Sequence, residues 1–301
     1  MKRRTLFRSA ASALPLAALS TLLESHKNLK SNQNNEIPSA QDQHKENDSP
    51  IAGKMSIPTG KMRIQRLAWA GIKIELDTTS LFVDATSYKE EKDMPLHAET
   101  VSRHALITHH HSDHYDPAAL KTVFDAKSRL FCHEAVLPWI DTRDLRTQTA
   151  SLYQPMDISR WSGDLVAIPV PAVDGFGHPQ VSWVVKGAGK RIIHCGDTLW
   201  HGYWRDIADA YGPFDIAFMP INAARLSQGK VIDTGIPAVM NPEQAVVAGK
   251  LLGAERVCPI HYGRPGDNYF ETPDPEGDFL RHAKLRGVKT LLLREGEYIE
   301  V

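Results

Sequence analysis

From Lys61 onward, short apolar runs rich in valine, isoleucine and phenylalanine alternate with stretches of helical character. Arg63–Leu76 and Leu81–Asp84, arranged around a turn at Gly71, predict the opening strands, and Ala105–Thr108 predicts a short buried one. Asp116-Pro117 pairs a capping side chain with a proline at the first helical position and so predicts a helix over Ala118–Phe124. Strands are expected at Arg129–Cys132, Leu165–Val173, Val181–Val185, Arg191–His194 and Ile216–Met219. Asn241-Pro242 repeats the cap-and-proline signature, with a helix running to Leu252 and stopped by Gly253. Arg256–Ile260 and Thr290–Leu293 complete the expected strands. Strands with interspersed helices point to an α/β layered domain rather than an all-β sandwich or a helical bundle.

The first sixty residues have a different texture. Lys2-Arg3-Arg4 precedes an uncharged, mostly apolar run, Ala10–Leu23, too short for a spanning helix. Residues 1–23 therefore read as an export signal, and Arg3-Arg4-Thr5-Leu6-Phe7 resembles the twin-arginine kind, with an uncleaved N-terminal anchor as the alternative. The expected location is the periplasm, with no stable membrane span in the mature chain. Residues 24–60 are rich in Asn, Gln, Ser, Lys and Glu and read as a flexible linker that cannot bury enough apolar surface to offset its ordering entropy. The folded domain is expected over 61–301.

Charge and composition narrow the function. The chain has 301 residues, and 35 basic side chains face 36 acidic ones. That balance leaves no electrostatic footprint for nucleic acid. No GxGxxG loop follows a strand, which argues against a dinucleotide, and no GxSxG elbow supports a serine hydrolase. Cys132, Cys195 and Cys258 are too few and too scattered for a disulfide framework. The 14 histidines are the compositional oddity, and they point to metal.

Four of the candidate ligands fall within six residues, in His109-x-His111-x-Asp113-His114, between an expected strand and a capped helix. In extended chain, residues two apart face the same side, so His109 and His111 can grip one cation. The turn that follows lets Asp113 and His114 face a second. Imidazole nitrogen with carboxylate oxygen suits zinc, and also iron or manganese.

This pattern resembles the metallo-β-lactamase-fold hydrolases, and the resemblance extends over almost all of the chain from Lys61 to Val301. Asp84, ending Leu81-Phe82-Val83-Asp84, is similar to that family's early aspartate, which orients a ligand. Asp197, in His194-Cys195-Gly196-Asp197-Thr198, resembles the aspartate that bridges two metals, and His261 resembles the last histidine ligand. The resemblance implies a four-layer αββα sandwich and two divalent metal ions, foremost Zn²⁺, with Mn²⁺ or Fe²⁺ as alternatives. The chain departs from the pattern before the Asp197 strand, where both Asp174 and His178 are candidate ligands; Asp174 is the narrowly favoured one.

The expected chemistry follows from that implied site. Two cations sharing Asp197 and a water would bring the water's pKa toward neutrality, and the resulting hydroxide would cleave an ester, lactone or phosphodiester bond. Asp113 is expected both to ligate metal and to accept a proton from the attacking water. Asn222 is a candidate donor to a developing oxyanion, and Tyr262 a candidate proton source for the leaving group. Cys195 reads as a buried small side chain rather than a thiolate ligand. Trp200, Tyr203 and Trp204 read equally well as pocket wall or core. The nearest branch by resemblance holds ascorbate-phosphate lactonases and N-acylphosphatidylethanolamine-hydrolysing phospholipase D, so the expected substrate is a small or lipid-like molecule. A mononuclear iron dioxygenase of the same fold and a non-catalytic metal-binding protein are the competing readings.

Overall fold

Alternation along the strands sorts the apolar side chains into three clusters, and the clusters define the layers. The computed structural model describes residues 60–86, 102–159, 165–227, 232–266 and 268–301. The expected export signal and nearly all of the expected linker lie outside the described residues.

One sheet contains β1 (Arg63–Arg66), β2 (Ile72–Leu76), β3 (Thr79–Val83), β4 (Ser102–Leu106), β5 (Arg129–His133), β6 (Thr147–Ala150) and β15 (Tyr298–Glu300), in the order β15-β1-β2-β3-β4-β5-β6. The other contains β7 (Met156–Asp157), β8 (Val166–Pro171), β9 (Val181–Gly187), β10 (Lys190–His194), β11 (Ile216–Pro220) and β13 (Arg256–Ile260), in the order β13-β11-β10-β9-β8-β7. A small antiparallel pair, β12 (Arg225–Leu226) with β14 (Tyr269–Phe270), forms a separate two-stranded sheet.

Leu81 and Val83 point into the core between the sheets, together with Trp183, Val185, Ile192 and Phe218 from the facing sheet. Their off-phase neighbours face outward. Phe82 joins Leu120 of helix α1 (Pro117–Val123) on one outer face. Val184, Ile193 and Met219 on the other meet α2 (Trp204–Tyr211), α3 (Pro242–Leu251) and α4 (Pro275–Arg286), through Trp204, Ile207, Val246, Phe279 and Ala283. Period-2 strands buried on both faces thus give helix, sheet, sheet, helix: the four-layer αββα sandwich.

The helix starts follow their caps. Asp116 accepts the backbone N–H groups of Ala118 and Ala119, and Asn241 forms a reciprocal capping box with Gln244. Among the described residues, two of the four α-helices, α2 and α4, were not expected from the sequence, although Asp274-Pro275 opens α4 with the same cap-and-proline signature. Few of the side chains on α4 are buried, Phe279 and Ala283 among them, so its apolar stripe is narrow. Thr290–Leu293 does not form the expected strand: Thr290 makes an isolated bridge to Val257, and the closing strand is β15, paired with β1. Among the described residues, no helix is long and apolar enough to cross a membrane.

Candidate metal centre

Parallel pairing delivers the candidate residues to one rim. β3 runs parallel to β4, and β10, β11 and β13 run parallel to one another. The segments beyond their C-terminal ends carry Asp84, the His109–His114 turn, Asp197, Asn222 and His261. Several of these residues leave their strand abruptly: Asp84 and His261 adopt left-handed backbone (φ 47° and 57°), as does Gly196 (φ 58°).

Asp84 is buried and organises the first motif. Its Oδ1 accepts the Thr108 backbone N–H at 2.8 Å, and its Oδ2 accepts the Thr108 hydroxyl at 2.6 Å. The hydroxyl has then spent its proton, so at 2.9 Å it accepts from His109 Nδ1–H. Asp84 Oδ2 also accepts His114 Nδ1–H at 2.8 Å. Both imidazoles are fixed in one tautomer, with the Nε2 lone pair directed away from Asp84. His261 is fixed in the same way, its Nδ1–H donating to Asn222 Oδ1 at 3.2 Å.

Those lone pairs converge on carboxylates. His114 Nε2 and His261 Nε2 each lie 2.9 Å from Asp197 Oδ1, and 3.6 and 3.5 Å from Asp113 Oδ2. His114 Nε2, His261 Nε2 and Asp197 Oδ1 are buried, yet none makes a hydrogen bond of acceptable geometry. Buried nitrogen and oxygen atoms gathered this closely are costly unless a positive charge lies among them: without metal a proton on the histidines supplies it, and the same donor set fits a divalent cation. Burial opposes a charge on His114, but Asp197, Asp113 and Asp84 outweigh it and hold its pKa well above the ordinary imidazole value. Burial likewise opposes ionisation of Asp197, and His114 and His261 hold its carboxyl well below the usual range.

A second donor group adjoins the first. His109, His111 and Asp197 bring ligating atoms within 4.8 Å of one another. Asp197 Oδ2 is 3.9 Å from His109 Nε2, so its two oxygens face the two groups. His109 is pushed well below its ordinary pKa by burial and by His114, which keeps it in the neutral form that ligates metal. His111 Nδ1 lies 2.9 Å from His109 Nε2 and its Nε2 2.9 Å from His178 Nδ1, so His178 meets the other nitrogen of the His111 ring, in a further donor group with His110 and His111. Asp174, the narrowly favoured alternative, belongs to no donor group among the described residues. Its Oδ2 instead accepts the backbone N–H groups of Phe176 and His178 at 2.8 and 2.9 Å, which shapes the loop that presents His178.

Residues 79–262, more than half of the chain, match the family described as the Beta-lactamase superfamily domain. The chain belongs to the β-lactamase superfamily. Its relatives include a UPF0173 metal-dependent hydrolase of Rubrobacter xylanophilus, 33% identical over 115 residues that make up 38% of this chain and 40% of that protein. A second, from Thermococcus kodakarensis, is 27% identical over 165 residues, 52% of this chain and 65% of that protein. The chain thus spans less than two thirds of either relative. Igni18, a metallo hydrolase from Ignicoccus hospitalis, shares the fold with a TM-score of 0.61 at 19% identity, over 80% of this chain and 98% of that one.

In this member of the superfamily both donor groups open onto a cleft of about 970 Å³, lined among others by Asp113, His111, His178, Tyr269, Phe176 and Arg264. Two expected roles change. Asn222 is no free oxyanion donor: besides holding His261, its Nδ2 donates to the Tyr269 hydroxyl at 2.9 Å and to Glu271. The Tyr262 hydroxyl donates to Glu276 at 2.7 Å, and Tyr262 does not line the cleft. Nor do Trp200, Tyr203 and Trp204: Trp204 is buried against the outer core, and the other two are exposed. Cys195 is buried beside Met219 and belongs to no donor group, its thiol pushed up to about 12 by burial.

The sequence reading missed Trp69 and Tyr269, both on the cleft wall. Trp69 Nε1–H donates to Asp113 Oδ2 at 3.0 Å. Burial and the nearby Asp197 push the Tyr269 hydroxyl far up in pKa, so it keeps its proton. Trp69 sits in Leu67-Ala68-Trp69-Ala70, which reads as core; the only sequence signal was its place beside the Gly71 turn.

Proposed function

We propose that the chain is a metal-dependent hydrolase that cleaves an ester, lactone or phosphodiester bond in a small or lipid-like substrate. The observation that carries this reading is the convergence of Asp113, His114, Asp197 and His261 on a point beside a cleft, with buried donor atoms that no hydrogen bond satisfies. These four would hold one cation. His109, His111 and the second oxygen of Asp197 would hold another, with His178 reaching it by a turn of the His111 ring and Asp174 supporting the loop. When bound, the cations, foremost Zn²⁺, supply Lewis acidity: they polarise the scissile oxygen and make water a stronger acid at neutral pH.

The protein's own groups do the rest. Asp113 is 43% exposed at its side chain, so its carboxylate reaches the cleft, and the oxygen that does not accept the Trp69 indole can orient a water and take its proton. Tyr269 accepts a hydrogen bond from Asn222 and retains its own proton, which suits it to donate to negative charge developing on the substrate. Phe176, Leu226 and Val239 give the cleft an apolar wall, while Arg225 and Arg264 offer positive charge. That mixture favours an amphiphilic substrate carrying a phosphate or carboxylate over a wholly apolar ester.

Elemental analysis of the purified protein, with lactone, phosphodiester and β-lactam panels run on wild type and Asp197→Ala, tests the reading. The variant is expected to lose metal and all hydrolysis while remaining folded. Turnover retained without Asp197 would rule the mechanism out.

A further inference from the structure

Trp69 lies in the turn between β1 and β2, buried and in left-handed backbone conformation (φ 61°). No glycine stands there to relieve that conformation, so its surroundings must impose it. Several contacts do. Its backbone N–H donates to Glu295 Oε1 at 3.0 Å, and its carbonyl accepts the His261 N–H at 3.5 Å. Its ring lies 4.3 Å from the His261 ring, tilted by 51°, and meets Tyr269 edge-on at 5.9 Å. The Arg264 guanidinium, itself paired with Glu295 at 3.0 Å, covers the ring at 5.6 Å. A side chain held from so many directions has little freedom to choose where its indole N–H points, and it points at Asp113 Oδ2.

Asp113 needs such a partner. It is the most exposed carboxylate of the donor groups, and it sits in the turn of residues 112–114 rather than on a strand or helix. A solvent-facing carboxylate in a turn would otherwise sample several orientations, whereas a ligand must present one. The oxygen that accepts the indole proton is the same one that lies 3.6 and 3.5 Å from His114 Nε2 and His261 Nε2.

We propose that Trp69 is a positioning residue for the metal centre: its indole N–H sets the Asp113 carboxylate toward the cation, and its ring braces His261. The inference rests on the metal-binding reading of Asp113, His114, Asp197 and His261 given above. Trp69 touches no substrate atom in this role and acts through the two ligands.

Trp69→Phe keeps an aromatic ring beside His261 and removes the donor. Zn²⁺ affinity of the metal-stripped full chain, measured by chelator competition, is expected to fall about 10–100-fold, the usual loss when an outer partner of a ligand is removed. The visible spectrum of the Co²⁺-loaded variant is expected to change, because the ligand field at Asp113 changes. Trp200→Phe, an exposed tryptophan away from the cleft, is expected to change neither. The decisive comparison is the pair Trp69→Phe and Asp113→Ala, which leaves no acceptor for the indole: if Trp69 acts through Asp113, the double variant binds Zn²⁺ no more weakly than Asp113→Ala alone. Additive losses would overturn the proposal, as would a Trp69→Phe variant with wild-type affinity and spectrum.

A measurement independent of that variant's folding uses ¹⁵N-tryptophan-labelled protein. Slow exchange is expected in wild type for the indole protons of Trp69 and of the buried Trp183, which donates to the Ile107 carbonyl at 2.8 Å, and only the Trp69 signal is expected to become fast in Asp113→Ala; identical exchange of the Trp69 signal in both would overturn the proposal. Wild type that binds no cation at all would instead remove the metal-binding reading itself.

Discussion

The Asp84 carboxylate accepts His114 Nδ1–H across 2.8 Å, and neither side chain reaches solvent. The same carboxylate accepts both donors of Thr108, and Thr108 in turn orients His109. One residue at the edge of the candidate metal centre therefore fixes a histidine in each donor group.

Asp84→Asn tests that dependence. The amide supplies one acceptor oxygen where three donors are now received, and it turns N–H groups toward donors that have no use for them. Removing one partner of a buried charged pair costs about 3–5 kcal/mol, so marked thermal destabilisation is expected. Metal affinity is expected to fall about 10–100-fold through loss of ligand orientation. Melting and elemental analysis of the same preparation check both, and wild-type metal content would show that Asp84 does not orient the ligands.

Asp84, His109, His114, Asp197 and His261 were legible in the sequence because each stands at a strand end or in a compact motif. Parallel pairing brings strand ends to one rim, so order along the chain carried the geometry. Trp69 and Tyr269 were not legible, since their roles depend on where a side-chain N–H or O–H points. Asp174 and His178 share one loop; hydrogen bonds to backbone N–H groups separate their roles, and spacing carries no record of those. Helix α2 begins after Tyr203, with no capping side chain to announce its start, and α4 has a cap and proline but a narrow apolar stripe, with Phe279 and Ala283 its buried side chains.

His178 and Asp174 can be separated directly. His178→Ala is expected to lower bound metal toward one equivalent, with the group around His114 and His261 retained. Asp174→Asn keeps an oxygen able to accept the Phe176 and His178 N–H groups, so near wild-type metal content is expected. Elemental analysis with the opposite pattern would make Asp174 the ligand.

Gly196 packs its backbone against Thr108, and an added Cβ would lie 2.8 Å from Thr108 Oγ1 and 2.9 Å from its Cβ. Its φ of 58° adds conformational strain to the clash. Gly196→Ala is therefore expected to displace both Thr108, the partner of Asp84, and Asp197, the next residue, with a stability loss of about 2–4 kcal/mol and loss of metal. Gly189 has a similar φ of 74° but open space around an added Cβ. Gly189→Ala should lose only the strain, about 1–2 kcal/mol, and keep its metal. Equal effects of the two substitutions in denaturant titrations would refute the close-approach account of Gly196.

His104, on β4, is buried against Phe131 with its Nδ1 unpartnered, and lies away from the metal centre. Burial, aided by the charge of Arg129, lowers its pKa from 6.5 to about 4. Between those values the unfolded chain takes up a proton that the folded chain refuses. The folded state is thus penalised progressively as pH falls from 6.5 toward 4, and not at all above that window. The slope from this one group is at most about 1.4 kcal/mol per pH unit. His104→Leu fills the site without a titrating group, so its stability should fall less steeply than wild type's as pH drops from 7 to 4. Carboxylates and the clustered histidines titrate in both proteins and cancel in the difference. Urea midpoints across that range measure it, and parallel curves would mean that His104 is protonated in the fold as readily as in the unfolded chain.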